Sequence, residues 1–205
     1  MADYKKPDHW QLKARKEGYP ARSVYKLKEI DEKFGLFKVS GKGGARVLDI
    51  GAAPGSWSLY VLRKMDKRGF LAAADLSPLS REFDGGLFEG DNFFFVQGDI
   101  TAEEVRKELF AKGPYSVIIS DAAPSTTGNH TVDAARSYAL AEEVIAYAES
   151  MLAVGGNLAL KVFQGGDSGE LLKRMKIIFE KAQSYKPQAC RGESVETYYI
   201  GIKKK

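Results

Sequence analysis

The chain has 205 residues, 44% of them hydrophobic and a net charge of +4, which suits one domain with a sizeable core. One cysteine, Cys190, excludes an internal disulfide or a cysteine zinc cluster, and with only His9 and His130 no metal is expected. No run approaches the ~18 apolar residues of a membrane span, and the N-terminus has no apolar signal core, so the expected home is a reducing cytoplasm.

Residues 1–38 form a basic segment that predicts helices. Residues 1–28 hold eight lysines and arginines (Lys5, Lys6, Lys13, Arg15, Lys16, Arg22, Lys26, Lys28) against Asp3, Asp8 and Glu17. The remaining chain is close to neutral. A basic segment carrying Tyr4, Trp10 and Tyr19 predicts a nucleic-acid face, a solvated basic arm being the plainer reading. A short helix is expected over 8–17, closed by Gly18. A second follows a Ser23 cap and runs to Phe34, with Val24, Leu27, Ile30 and Phe34 on one face and Gly35 ending it.

The core is expected over 46–205. Residues 46–50 read as a buried strand, Gly51 to Gly55 as a loop of small residues, and a helix starts near Ser56. Further strands are predicted at 70–74, ending in Asp75; at 93–96, ending in Gln97-Gly98-Asp99; at 115–120, ending in Asp121; and at 157–162, within Lys161-Val162-Phe163. Residues 76–92 look like loop. Helices are predicted from Thr101 to Phe110, with Thr101 and Glu104 at capping-box spacing, over 132–152, and over 168–182 as a basic amphipathic helix. The tail offers short strands at 185–189 and 197–202. Tyr138, Tyr147 and Phe179 fit core faces of helices. This alternation implies an α/β fold, with a mostly parallel central sheet and helices on both faces.

Polar residues recur where strands end: Asp49, Asp75, Asp99, Asp121 and Lys161. In open α/β sheets those ends bind ligands. Gly51-Ala52-Ala53-Pro54-Gly55 does not fit G-x-G-x-x-G, which disfavours a nicotinamide-dependent reductase. Pro54 lacks an N–H, so the loop is a poor pyrophosphate cradle. A ligand with ribose and base but no phosphate suits it better, and S-adenosylmethionine is the candidate; an ordinary βα turn is the alternative. Asp75 lies about 20 residues after Gly55, near the offset at which an acid meets ribose hydroxyls. Asp99 is expected beside the adenine, and Asp121 near the sulfonium.

The ordered strings Arg22-Ser-Val-Tyr-Lys-Leu-Lys-Glu-Ile30, Leu48-Asp-Ile-Gly-Ala-Ala-Pro-Gly-Ser-Trp57, Asp75-Leu-Ser-Pro78, Gln97-Gly-Asp99, Ser120-Asp-Ala-Ala-Pro124, Leu160-Lys-Val-Phe-Gln-Gly165 and Ser194-Val-Glu-Thr-Tyr198 span nearly the whole chain. Together they resemble the FtsJ/RrmJ-type (RlmE) ribosomal RNA large-subunit methyltransferases. The resemblance implies a Rossmann-like, S-adenosylmethionine-dependent enzyme that methylates a ribose 2′-hydroxyl, with a uridine as the expected nucleotide and a monomer as the expected state. It implies a catalytic tetrad of Lys26, Asp121, Lys161 and Glu196. It implies cofactor contacts at Gly55, Trp57, Asp75, Asp99 and Asp121, beside the loop glycine Gly51. Three positions depart from the family pattern. Ser56 stands where many members have glycine, Ala122 where the bacterial enzyme often has methionine, and Val195 where it often has arginine.

A ribose hydroxyl is a weak nucleophile at neutral pH and needs activation and in-line placement. Lys161 acts as a base only in its amine form, which burial and the Lys26 cation favour and Asp121 opposes. Base and orienting donor both stay open for it. Glu196 is expected to anchor Lys26 or a ribose hydroxyl; without the motif, a surface ion pair is the default for both. The rival readings are a transfer-RNA ribose methyltransferase of the same type and a non-catalytic RNA-binding module.

Overall fold

Seven strands form one sheet in the computed structural model, which describes residues 8–38, 44–65, 68–165, 168–192 and 194–205. They are β1 (Arg46–Ile50), β2 (Phe70–Asp75), β3 (Phe93–Gln97), β4 (Tyr115–Ser120), β5 (Leu152–Phe163), β6 (Phe179–Tyr185) and β7 (Glu196–Lys204). Their order is β3-β2-β1-β4-β5-β7-β6. The first five pair in parallel, and β7 runs antiparallel between β5 and β6. The chain winds outward from β1 to β3 and then returns to β4 on the other side of β1. That reversal opens a crevice at the strand carboxyl ends.

Helices cover both faces. On one, Leu48, Ile50, Ile118, Leu158 and Leu160 pack with α4 (Glu103–Ala111), α5 (His130–Met151) and α6 (Ser168–Ile178). On the other, Val47, Val117, Ile119, Ala159 and Ile200 pack with α2 (Val24–Phe34), α3 (Ser56–Lys64) and Ala14 of α1 (His9–Lys16). Side chains alternate across a strand. Lys161 therefore falls on the face of Ala159, and Glu196 on the face of Tyr198 and Ile200. Asp121 continues the set of Val117 and Ile119. All three belong to the side on which α2 carries Lys26.

Several sequence expectations need correction. The helix expected over 168–182 ends at Ile178, and Phe179–Tyr185 is edge strand β6. Phe179 and Ala182 fall at helical spacing and prolong the α6 pattern, but pairing with β7 overrides it, and the strand expected at 185–189 instead ends at Tyr185. Phe179 thus enters the core from a strand. Gly201 on β7 makes room for it, since a Cβ there would stand 2.6 Å from the ring. The capping box at Thr101 does not form: α4 starts at Glu103, and the Thr101 hydroxyl donates to Asp99. Ser23 precedes α2 but makes no side-chain cap. The strand expected at 157–162 already starts at Leu152, with a bulge against β4.

The N-terminal segment is not a free arm over its described part. Arg22 pairs with Asp8, Arg15 with Glu82 at 2.9 Å, and Lys28 with Glu17 at 2.7 Å. Trp10 packs on Tyr25 with ring centroids 5.0 Å apart. Tyr4, Lys5 and Lys6 lie outside the described residues.

Candidate active site

A cavity of about 260 Å³ opens at the β1/β4 crevice. Gly51 and Ala53 line it, together with Asp75, Asp99 and Asp121. Gly51 has φ +77°, and a Cβ there would stand 2.5 Å from the Cα of Ala122. Only glycine lets the loops after β1 and β4 close on each other. Asp75 ends β2 and shapes the loop opposite: its Oδ2 accepts from the Ala53 N–H at 2.9 Å and its Oδ1 from the Ser77 N–H at 2.8 Å. Asp99 is exposed. Its Oδ1 accepts from the N–H and the hydroxyl of Thr101, both at 2.9 Å. The backbone bond above all holds its carboxyl below the usual range.

Two of the expected cofactor contacts do not line this cavity. Gly55 lies outside the cavity wall, at the start of α3 with φ +106°, where a Cβ would stand 2.9 Å from the Phe88 ring. Trp57 is buried; its indole N–H donates to the Ser23 carbonyl at 2.9 Å and its ring lies 5.9 Å from that of Tyr198. It braces the start of α2. Ser56 does the same for the preceding loop: its hydroxyl accepts from the Ala21 N–H at 2.8 Å and donates to the Ala21 carbonyl at 3.2 Å. Asp49 also turns away. It is fully buried, with Oδ2 accepting from the Ser58 hydroxyl at 2.6 Å and Oδ1 without a partner among the described residues. Burial pushes its carboxyl up to about 7, against the Ser58 bond and with help from Asp121 and Asp75.

Lys26, Asp121, Lys161 and Glu196 come together next to the first cavity. Lys26 Nζ donates to Glu196 Oε2 at 2.7 Å, with both side chains nearly buried. Lys161 Nζ donates to the Asp121 carbonyl at 2.5 Å and stands 3.1 Å from its Oδ1. Burial would raise the Asp121 carboxyl, but Lys161 and then Lys26 outweigh it and hold it below the usual range. Sequence reading missed Tyr198. Its buried hydroxyl donates to Asp121 Oδ1 at 2.6 Å, and desolvation raises its phenol well above the ordinary value. Tyr198 faces Lys161 across the β5/β7 ladder, a register visible only once the strands are paired.

Two other residues tie Lys26 to Glu196 through the backbone. Arg22 donates to the Ala189 carbonyl. Glu29 accepts from the Gln188 N–H at 2.9 Å and from the Tyr185 hydroxyl. They hold the β6–β7 loop, which leads into Glu196, against α2. Beyond the cluster lies a second cavity of about 380 Å³, lined by Thr126, Gly128, His130 and Phe163 as well as Lys161 and Glu196. The two cavities meet at the Asp121–Lys161 pair.

Residues 19–204 match the family model described as FtsJ-like methyltransferase. The chain belongs to the FtsJ-like methyltransferase family. It is 47% identical to ribosomal RNA large subunit methyltransferase E of Treponema denticola, over 97% of this chain and 96% of that one. The enzyme of the same name from Borreliella afzelii is 45% identical, over 95% and 96%. Among solved structures, a Plasmodium falciparum protein assigned as a ribosomal RNA methyltransferase superposes with TM-score 0.71, at 24% identity over 91% of this chain and 98% of that one. Aeropyrum pernix fibrillarin with natively bound S-adenosylmethionine gives 0.57, at 15% identity over 88% and 76%. These likenesses establish a Rossmann-like methyltransferase fold. Among the described residues no helix is long and apolar enough to cross a membrane.

Proposed function

We propose that this FtsJ-like methyltransferase transfers a methyl group from S-adenosylmethionine to a ribose 2′-hydroxyl of large-subunit ribosomal RNA, at a uridine. The observation that carries the reading is the meeting of two cavities at Asp121 and Lys161, with the buried Lys26–Glu196 pair beside them. The names of the bacterial relatives favour ribosomal RNA as the substrate.

The first cavity fits the cofactor. It presents three carboxylates, which suit a cation, and its loop is free of bulk at Gly51 and Ala53. In this reading Asp75 accepts from ribose hydroxyls, Asp99 from an exocyclic amine, and Asp121 faces the positive end. When bound, S-adenosylmethionine supplies an electrophilic methyl on a sulfonium. Asp121 orients Lys161 through two oxygens and is itself held by Tyr198. Lys161, once it has released its own proton to solvent, takes the proton of the acceptor hydroxyl. Lys26, anchored by Glu196, steadies the negative charge that grows on that oxygen. In this reading the N-terminal helices and the core work as one unit, as a cytoplasmic monomer acting on the large ribosomal subunit.

The test is transfer of labelled methyl to large ribosomal subunits, with transfer RNA as the competing substrate and mapping of the labelled ribose. Lys161→Ala is expected to abolish turnover while calorimetry still shows S-adenosylmethionine binding. Lys161→Arg is expected to fail as well, because a guanidinium does not give up its proton. Substantial activity in the arginine variant would leave Lys161 only a positioning role.

A further inference from the structure

Asp133 stands in the first turn of α5 and is only 9% exposed. It does not cap the helix: the side chain of Asn129 already accepts from the N–H groups of Thr131 and Val132. Its carboxylate turns back to the preceding loop instead. Oδ1 accepts from the Thr127 N–H at 2.7 Å and from the Thr127 hydroxyl at 2.8 Å, and Oδ2 accepts from the Gly128 N–H at 3.2 Å. The Thr127 hydroxyl oxygen in turn accepts from the Asn129 N–H at 3.2 Å. Residues 125–130 are all exposed, and a Cβ at Gly128 would meet nothing within 4 Å. Core packing does not hold this loop; the Asp133 carboxylate holds its middle, Arg136 donates to the Ser125 carbonyl at 3.5 Å, and Asn129 ties its end to α5. The loop supplies one wall of the second cavity through Thr126 and Gly128, Asp133 lines it beside them, and Lys161 and Glu196 supply another wall.

We propose that Asp133 is a positioning residue that latches the 125–129 loop as a wall of the acceptor cavity and so sets how tightly the acceptor nucleotide is held. The proposal rests on the proposed methyl transfer and takes the second cavity, which Lys161 lines, as the seat of the acceptor. A nucleotide seated against Lys161 needs a fixed wall behind it, because an acceptor free to drift seldom reaches the reacting geometry. The effect belongs to RNA binding: Asp133 has no bond to the first cavity, and its latch lies on the far side of Lys161.

Asp133→Asn keeps the shape but replaces one accepting oxygen by a donor facing the loop's own N–H groups. The KM for ribosomal RNA is expected to rise about tenfold, the scale of one charge-assisted hydrogen bond. Affinity for S-adenosylmethionine should hold, and kcat should change far less than KM. Because the latch acts through Thr127, adding Thr127→Val to Asp133→Asn should cost little more than Asp133→Asn alone. Additive losses would overturn the latch, as would an unchanged KM or a kcat loss at constant KM. Amide exchange at Thr127 and Gly128 reads the latch without RNA and is expected to quicken in Asp133→Asn. Unaltered exchange overturns it even if the wild type transfers no methyl, an outcome that would separately sink the acceptor reading. Should Asp133→Asn fail to fold, Thr127→Val alone, at an exposed site, must still raise KM and quicken exchange at Gly128, or the proposal falls.

Discussion

At Asp49 the sheet buries a carboxylate with one oxygen bonded to Ser58 and the other unpaired among the described residues. The group titrates at about 7 in the folded protein, from an ordinary value of 3.8. The folded chain therefore keeps a proton that the unfolded chain releases between those values. The stability this confers is complete below the unfolded value and is lost as pH rises through the folded one. Asp49→Asn cannot ionise, so in urea unfolding it should gain on the wild type between about pH 4 and pH 7 and level off above that. A difference that stays constant with pH would show that Asp49 does not titrate there. In the sequence Asp49 looks the same as Asp75 and Asp121, one more acid near a strand end. Burial separates them: Asp75 and Asp121 stand at the final turn, where the backbone opens onto the cavity, and Asp49 sits one residue inside the strand, against α3. Lys26 and Glu196 were legible only as motif members, because their 2.7 Å contact spans 170 residues of chain.

At the scale of elements, α1 looks in the sequence like a basic arm, and the structure makes it a brace. Ala14 is fully buried, Trp10 lies on Tyr25, and the Asp8–Arg22 pair joins the start of α1 to the turn before α2. A chain lacking residues 2–18 is expected to lose about 2 kcal/mol, within the usual range for removing packed side chains. For a chain of this length that lowers Tm by about 4–8 °C. An unchanged Tm in thermal unfolding would return α1 to the role of a free arm. The same comparison bears on RNA. Of the cations on α1, Arg15 already holds Glu82 and Lys13 stands 3.9 Å from Glu17, so few of them are free for phosphates. Deleting α1 should therefore flatten the salt dependence of RNA binding only modestly. The helical misreading of 179–182 belongs to this scale too. Phe179 and Ala182 at helical spacing fit an edge strand equally well, and only a partner strand decides between them.

For the whole molecule, the first cavity joins loops after β1, β2, β3 and β4, so a ligand there ties one half of the sheet together. Ligand that binds only the folded state stabilises by mass action. S-adenosylmethionine at about 100 times its Kd should add about 2.7 kcal/mol, or about 5–11 °C in Tm at this chain length. Asp75→Ala is expected to weaken binding by about 1–3 kcal/mol, the loss of a charged hydrogen bond. At the same cofactor concentration, thermal unfolding should then show a much smaller rise. A full rise in that variant would remove Asp75 from the site.

Local chemistry alone determined the strand–loop–helix unit around Gly51 and the α/β alternation. Apolar runs of strand length, turn glycines and strand-end acids act over a few residues, so their order along the chain suffices. The motif strings added which residues to watch. Tertiary structure decided the rest. Parity along β5 and β7, together with pairing across them, put Lys161, Tyr198 and Glu196 on the α2 face. It sent Trp57 to brace α2 and buried Asp49. It also folded the 125–129 loop back onto Asp133, a residue no motif singled out. Each outcome depends on which segments meet and how much water they exclude, and neither quantity is carried by residues adjacent in sequence.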